Sequence, residues 1–144
     1  MGNHGLFSFY EKGAEMGKSK QLEKINEYFN AWLKMDAAVI PRLFSKDVVY
    51  TECTGTVYLG RAQCERWFAE WNQKGRVLKW DILKTFEVGD TVIVQWLFEC
   101  EFEKNIDSFK GVSLIEFNRQ GLIVSVNEYY AKTQLEYPYG NITL

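Results

Sequence analysis

Histidine is almost absent from this sequence, since the one histidine, His4, lies among the first few residues. A Ser-His-Asp triad or a Cys-His pair needs an imidazole beside its nucleophile, so both kinds of nucleophilic site are excluded. A histidine-rich metal site is excluded for the same reason. Carboxylates, tyrosines and thiols remain as the groups that could carry chemistry, and we expect neither a metal nor a cofactor.

Cysteine is also scarce, and basic charge is not in excess. The three cysteines, Cys53, Cys64 and Cys100, form no C-x-x-C pair and leave an odd count, which is typical of free thiols in a reducing compartment. We therefore expect a cytoplasmic protein. The net charge of -2 gives no positive field for nucleic acid. No apolar run approaches the ~18 residues of a membrane span, so the sequence predicts neither a nucleic-acid partner nor a membrane partner.

Aromatic residues, by contrast, make up 16% of the 144 residues. A chain of this length fits one domain. Irregular, glycine-rich composition predicts a flexible N-terminal arm over residues 1–19, and a C-terminal tail is predicted over residues 133–144. The domain between them spans residues 20–132.

Three helices are predicted in the N-terminal half. Apolar residues recur at helical spacing over residues 20–34, and Asp36 is placed to cap a short second helix. Pro41 would lie about one turn into that helix, where it either removes a backbone hydrogen bond or shifts the start. The third helix, residues 61–73, has a heavily aromatic face. Gly75 is placed to end it in the left-handed conformation.

Strands are predicted by period-two patterns, first over residues 47–53 and then along most of the chain after Gly75. The turns fall at Gly89-Asp90 and at Gln120-Gly121. Inward rows follow from strand parity: Leu78, Trp80, Ile82 and Phe86; Val92 to Phe102 in steps of two; Gly111 to Phe117 in steps of two; and Leu122, Val124, Val126, Glu128 and Tyr130. Helices first and strands afterwards predict an α+β fold, a curved, mostly antiparallel sheet wrapped around a pocket with the three helices on its concave side.

Two carboxylates lie in otherwise apolar inward rows. Glu52 ends the row of Val48 and Tyr50, and Glu128 lies in the last strand. If they are neighbours, one pKa must rise, which would give an acid and a base from one residue type. The alternatives are that Glu52 is solvated at the rim and that Glu128 is a satisfied polar core group, bonded to a helix residue or to a buried tyrosine. We predict a raised pKa for Glu52 because burial and a like charge both disfavour its ionised form.

Two segments carry a family resemblance: EYFNAWLKMDAAVIPRLFSKDVVYTECTG and GVSLIEFNRQGLIVSV. They resemble the SnoaL-like, ketosteroid-isomerase-like branch of the nuclear transport factor 2-like superfamily, whose fold is an α+β cone, and the resemblance covers residues 21–132. It implies that Tyr28 donates a hydrogen bond to a substrate oxyanion and that Glu52 moves the proton. Ser113 matches the position of a second, acidic donor.

The sequence departs from the isomerase pattern at two of these positions. A serine hydroxyl is a weaker acid than a neutral carboxylic acid, so Ser113 offers less oxyanion stabilisation. Glu52 replaces an aspartate and moves the base by one methylene, and a displacement on the order of 1 Å can lower a rate ~100-fold. Steroid isomerisation is therefore not predicted.

Candidate ligand-binding residues are apolar or aromatic side chains on the inward faces: Trp32, Tyr50, Trp67, Trp80, Trp96, Phe98, Val126 and Tyr130. Tyrosines among them could orient a ligand oxygen through their hydroxyls. The alternative is that these side chains are ordinary core residues, with only one or two of the tryptophans in a ligand site.

Three functions remain open. The first is a cofactor-free cyclase, isomerase or dehydratase with Glu52 as general base and Tyr28, Ser113 and Glu128 completing the site. The second is a non-catalytic protein that binds an unknown apolar small molecule. The third is a homodimeric structural module with a vestigial pocket, joined through the outer row Thr91, Gln95, Glu99 and Glu101. A connected cavity of roughly 300 Å³ around Glu52 would favour the first two.

Overall fold

The computed structural model describes residues 19–140 as three helices packed on one six-stranded sheet. The helices are α1 (Lys20–Lys34), α2 (Val39–Leu43) and α3 (Arg61–Lys74). The strands are β1 (Phe44–Thr51), β2 (Val57–Leu59), β3 (Gly75–Val88), β4 (Thr91–Phe102), β5 (Asn105–Phe117) and β6 (Ile123–Ala131). The predicted arm lies outside the described residues except for Ser19, and so do residues 141–144 of the predicted tail.

The sheet has the order β2-β1-β6-β5-β4-β3. Only β1 and β6 pair in parallel, and every other neighbouring pair is antiparallel. This confirms the predicted α+β class, with a curved, mostly antiparallel sheet and three helices from the N-terminal half. In the described range, no helix is long and apolar enough to cross a bilayer, and no group of three His, Cys, Asp or Glu side chains could hold a metal ion.

Helix α1 forms as its spacing predicts. The Ser19 hydroxyl caps its start by accepting a hydrogen bond from the Leu22 amide at 3.1 Å, and Met35 ends it in the left-handed conformation. Ile25, Phe29 and Trp32 are buried along one stripe, because residues three and four apart lie on the same helix face. The stripe packs against β3.

Helix α2 begins later than the sequence predicts. Asp36 does not cap it, since its side chain accepts a hydrogen bond from the Ala38 amide at 3.2 Å within the preceding turn. Ala38 is the N-cap residue and makes no capping side-chain bond. With this start, Pro41 falls in the first turn, where a backbone N–H would have no intrahelical partner.

Gly75 ends α3 for a different reason from the one predicted. Its φ of -157° is extended, so the prediction of a left-handed cap is wrong. Gly75 is already the first residue of β3 and pairs with Phe102 on β4. A Cβ at this position would collide with the Glu101 carbonyl and the Phe102 ring, so glycine is required by the close approach of two backbones.

Two strands depart from the predicted inward rows because their registers shift. In β3 the shifts lie between Val77 and Lys79 and between Ile82 and Lys84, and they leave Val77 and Trp80 buried and Leu78 37% exposed. In β6 a register shift opposite Glu116 and Phe117 buries Ile123, whereas the predicted inward row contained Leu122 and Val124 on either side of it. One extra residue reverses the faces of all residues before it, which local periodicity cannot reveal.

The sheet's concave side has two distinct halves. At one end, aliphatic side chains from the sheet and α1 are fully buried together: Ile25, Val92, Val94, Ile115 and Ile123. At the other end the same strands carry rings. Trp96 marks the boundary, where its indole lies over Gly111 so closely that any Cβ there would overlap the ring.

Candidate functional site

The ring-bearing half of the sheet encloses a cavity of about 330 Å³. One wall comes from α1 and α3, another from β3 and β4, and the last from β5 and β6. The aromatic lining residues are Trp32, Tyr50, Trp67, Trp71, Trp80, Trp96, Phe98, Phe102 and Phe109. The size matches an ordinary small-molecule site, roughly 300–1,000 Å³.

The rings hold one another in place. Trp32 lies 5.0 Å from Trp67, centroid to centroid, and meets Trp71 edge-on at 5.5 Å. On the opposite wall Phe98 contacts Trp80 edge-on at 5.3 Å and Phe109 at 5.1 Å. Tilted and edge-to-face pairs at these separations are favourable, so the walls are braced without a ligand.

Among the described residues that line the cavity, three have a carboxyl group: Glu52, Asp107 and Glu128. No lysine, arginine or histidine is among the described residues that line the cavity. Asp107 is exposed at the start of β5, whereas the other two side chains are partly enclosed. The described cavity lining is therefore mostly apolar, and its ionisable groups are acidic with no basic group to balance them.

Glu128, on β6, is the most strongly perturbed of these groups. The Tyr50 hydroxyl donates a hydrogen bond to its Oε2 at 2.5 Å. Burial and, to a smaller extent, the charge of Glu52 raise the pKa of Glu128, hydrogen bonds from Tyr50 and Ser113 oppose the rise, and the net pKa is about 8. The side chain is partly accessible because it faces the cavity, yet protein surrounds it closely enough to disfavour the carboxylate.

Glu52 lies just beyond β1, at the start of a tight turn. The Glu52 amide donates a hydrogen bond to the Thr56 carbonyl at 2.8 Å, and the Gly55 amide donates one to the Glu52 carbonyl at 2.9 Å. The Tyr58 hydroxyl donates to its Oε1 at 2.9 Å. Burial raises the pKa of Glu52, as the sequence analysis predicts, and the bond from Tyr58 works against that rise.

Tyr28 and Ser113 lie behind the cavity wall. The Tyr28 side chain is 1% exposed, and its hydroxyl, near Tyr50 and Trp32, makes no hydrogen bond of good geometry with a described residue. Burial raises its pKa well above the ordinary value. Ser113 is fully buried, accepts a hydrogen bond from Trp96 Nε1 at 2.8 Å and lies opposite Glu128 across β5 and β6. Neither hydroxyl lines the cavity.

Two of the predicted ligand-binding residues are also away from the cavity, whose lining includes the other six. Val126 is 1% exposed and belongs to the packed core. Tyr130 is 60% exposed near the end of β6 and meets the edge of Phe109 at 5.6 Å. At Tyr130, β6 has already extended beyond the cavity. Strand parity therefore predicts which face Tyr130 lies on but not that the face is exposed there.

Several lining residues were missed, although strand and helix periodicity contained a signal for most of them. Trp71 follows Trp67 by one helical turn on the predicted aromatic face. Asp107 and Phe109 extend the predicted inward row of β5 by two steps. Tyr58 is different, because its bond to Glu52 depends on the pairing of β1 with β2, for which the short strand gives no pattern.

Buried polar atoms near the cavity limit its chemistry. Within the described part, the buried Nε1 atoms of Trp32 and Trp80 have no hydrogen-bond partner. Burial raises the pKa values of the lining thiols Cys53 and Cys100 to about 11, which keeps them protonated at neutral pH. Thiolate chemistry is therefore disfavoured.

A curved α+β sheet that encloses a ring-lined cavity with inward carboxylates defines the cone class of fold. The chain belongs to the family of SnoaL-like domains, whose sequence pattern matches residues 25–126. None of the curated proteins compared matches it significantly.

Solved structures share the fold at low sequence identity. The chain is similar to a hypothetical protein from Catenulispora acidiphila, with a ketosteroid isomerase-like fold and solved with trimethylamine, at a TM-score of 0.67 and 22% identity over 76% of this chain and 85% of the other. A proposed SnoaL-like polyketide cyclase from Shewanella denitrificans superposes with a TM-score of 0.68 at 14% identity, covering 79% and 92% of the two chains. An epoxide hydrolase from M. tuberculosis gives 0.70 at 14% identity, with 77% and 82% covered.

Proposed function

We propose that this protein is a cofactor-free enzyme that moves a proton on a small, largely apolar molecule held in the cavity. One observation carries the proposal. Two carboxylates with raised pKa values, each accepting a tyrosine hydroxyl bond, face the same ring-lined space. Groups tuned in this way provide an acid and a base without external help.

The different environments of the two carboxylates assign their roles. Glu52 is partly solvated, and the bond from Tyr58 opposes the rise in its pKa, so we assign Glu52 the role of the base that accepts a proton. Glu128, with a pKa of about 8, carries a proton at neutral pH and can donate. The two residues therefore act as general base and general acid.

The geometry also changes the expected oxyanion partners. Because Tyr28 and Ser113 do not reach the cavity, they support the site from behind. Protonated Glu128, oriented by Tyr50, takes the place of the donor that stabilises developing negative charge on a substrate oxygen. Proton abstraction next to a carbonyl, as in an isomerase, cyclase or dehydratase, is the reaction class that this pair supports.

Deuterium exchange tests this function without knowledge of the substrate. The bicyclic ketone 2-tetralone is incubated with the protein in D₂O, and loss of its proton signals next to the carbonyl is followed by NMR. We expect faster exchange with the wild-type protein than with buffer, and a loss of about 10²–10⁴-fold of that acceleration in Glu52→Gln. Glu128→Gln should lose part of it.

Glu116→Gln is the matched control, because Glu116 is exposed on the outer row of β5. It should exchange at the wild-type rate. Wild-type exchange no faster than that of Glu52→Gln would overturn the enzymatic proposal. The same cavity would then support the non-catalytic alternative, in which the protein only binds its ligand.

We also propose a homodimer formed through the outer row of β4, with a second copy of the chain as the occupant. Ile93 and Leu97 lie half-buried between polar residues there, and Tyr129, two strands away on β6, is 61% exposed. Mixed character of this kind suits an interface between copies. Light scattering at micromolar concentration should give a dimer that Leu97→Lys converts to a monomer, and a wild-type monomer would contradict the proposal.

A further inference from the structure

The cavity combines two features that are each ordinary and together selective. Its walls are aromatic rings, and its charged lining groups are all carboxylates. An apolar neutral ligand would gain from the rings alone, and the desolvated carboxylates beside it would remain without a counterion. An anionic ligand would be repelled, since no described cationic side chain lines the space. A ligand with a positive charge would therefore supply the counterion that the described lining residues do not.

We propose that the ligand carries a cationic amine, which the ring faces surround and the Glu52 carboxylate balances in charge, with the Glu128 carboxyl group close by. Aromatic faces attract cations within about 6 Å of the ring centroid, and tryptophan is the most effective ring. Trp67 is well placed for this, because it stacks on Tyr58 at 4.4 Å and contacts Tyr50 at 5.0 Å, and those two hydroxyls hold Glu52 and Glu128. Trp67 therefore contacts both of the tyrosines whose hydroxyls bond to the two carboxyl groups.

The two carboxylates give the inference a pH signature. Glu128 is neutral below its pKa of about 8, so the site gains its second negative charge as the pH rises through that value. The groups that interact with Glu128 are Tyr50, Glu52 and Cys53 from β1 and its turn, Tyr58 from β2, Ser113 from β5, and Tyr28 from α1. Burial raises the pKa values of the three tyrosines and raises that of Cys53 to about 11, so these groups stay protonated near pH 8, and serine does not titrate there. Affinity for a fixed cation should therefore rise as Glu128 ionises.

Choline and its uncharged carbon isostere, 3,3-dimethyl-1-butanol, form the test pair. Their shapes match, and the quaternary ammonium keeps its charge at every pH, so a difference between them reports charge recognition. Binding to the full chain is followed by tryptophan fluorescence and by calorimetry. We expect choline to bind at least about tenfold more tightly than the isostere near neutral pH, and more tightly still at about pH 9.5 than at about pH 6.5.

Variants separate the carboxylates from general charge effects. Glu52→Gln should weaken choline binding about tenfold and leave the isostere unaffected, because only the cation uses the charge. Glu128→Gln should remove the rise in affinity through pH 8 and serves as a second variant if Glu52→Gln folds poorly. Glu116→Gln removes the same charge from the outer face and should change neither affinity.

The inference rests on the proposed function only in taking the cavity as the binding site. Equal affinities for the two probes, tighter binding of the isostere, or no binding of choline would overturn it. So would a loss of choline affinity in Glu116→Gln as large as in Glu52→Gln. Deuterium exchange into 2-tetralone needs no cation, so exchange that persists beside any of these results would leave the acid-base function standing.

Discussion

The two halves of β4 lie on one strand and one face of the sheet, yet they build different structures. In the first half Val92 and Val94 are 0% exposed and pack into a solid core. In the second half Phe98 and Phe102 are only half-buried and face the cavity. The strand geometry is the same in both, so the difference comes from the side chains and from the elements that cover them.

Aliphatic side chains interdigitate and fill space, whereas rings at the other end brace one another and leave space between them. The tryptophans of α3 extend this second arrangement, because Trp67 and Trp71 contact Trp32 rather than filling the centre. The comparison teaches that this protein separates the residues that stabilise the fold from those that form the site. Four tests, each built on one or two substitutions, examine that separation.

The largest effect is expected in the solid half. Ile115→Ala removes a side chain that is 1% exposed and leaves a void, so the free energy of unfolding should fall by about 2–5 kcal/mol. Phe98, in the other half, already borders the cavity, so Phe98→Leu should lower the free energy of unfolding by less than about 1.5 kcal/mol. Urea titrations measure both. Equal losses would mean that the halves are one continuous core.

The next effect concerns pH, through Glu128. The folded protein holds its proton up to a pKa of about 8, whereas the unfolded chain releases it near 4.5. Between those values the unfolded state binds fewer protons, so the free energy of unfolding should fall as the pH rises, at up to ~1.4 kcal/mol per pH unit. Glu128→Gln should flatten this dependence and be more stable than wild type near neutral pH.

Urea midpoints measured over that pH range provide the check. The outer-face variant Glu116→Gln, with its exposed carboxylate, should keep the wild-type slope. A Glu128→Gln variant that still loses stability across the range would assign the dependence to another group.

Gly111→Ala tests the boundary between the halves. Its new Cβ would overlap Trp96 and approach the backbone carbonyl of Tyr129, so the ring must move. We expect a loss of about 1–3 kcal/mol from overpacking, together with weaker binding of 2-tetralone because Trp96 lines the cavity. Calorimetric unfolding and a binding titration measure the two effects. If Gly111→Ala changed neither the stability nor the binding of 2-tetralone, Trp96 would be free to move and the boundary between the halves would not be tightly packed.

The smallest effect is expected on the outer side of α3. Arg66 forms an exposed i,i+4 ion pair with Glu70 at 2.7 Å, one residue before the cavity-lining Trp67. Exposed pairs of this kind contribute little, so the unfolding midpoint of Arg66→Ala should match wild type within error. Ligand binding should also be unchanged. A clear loss of binding would show that the aromatic wall depends on the outer charges of its helix.

Local spacing determined much of this protein. The stripe of α1, the alternation of β4 and the inward positions of Glu52 and Glu128 could be predicted because neighbours in sequence decide which side chains share a face. The raised pKa of Glu52 could be predicted from the same rows. The order of the elements also followed from these patterns, and together with the local residues it carried the family resemblance.

Only the tertiary structure decided the rest. The register shifts of β3 and β6, the close pairing of Gly75 with Phe102, and the bond from Tyr58 to Glu52 each depend on a partner elsewhere in the chain. Tyr28 and Ser113 are separated from the cavity by their neighbours' packing, which no spacing encodes. Sequence patterns report the faces of single elements, whereas distances between elements follow from how all the side chains pack at once.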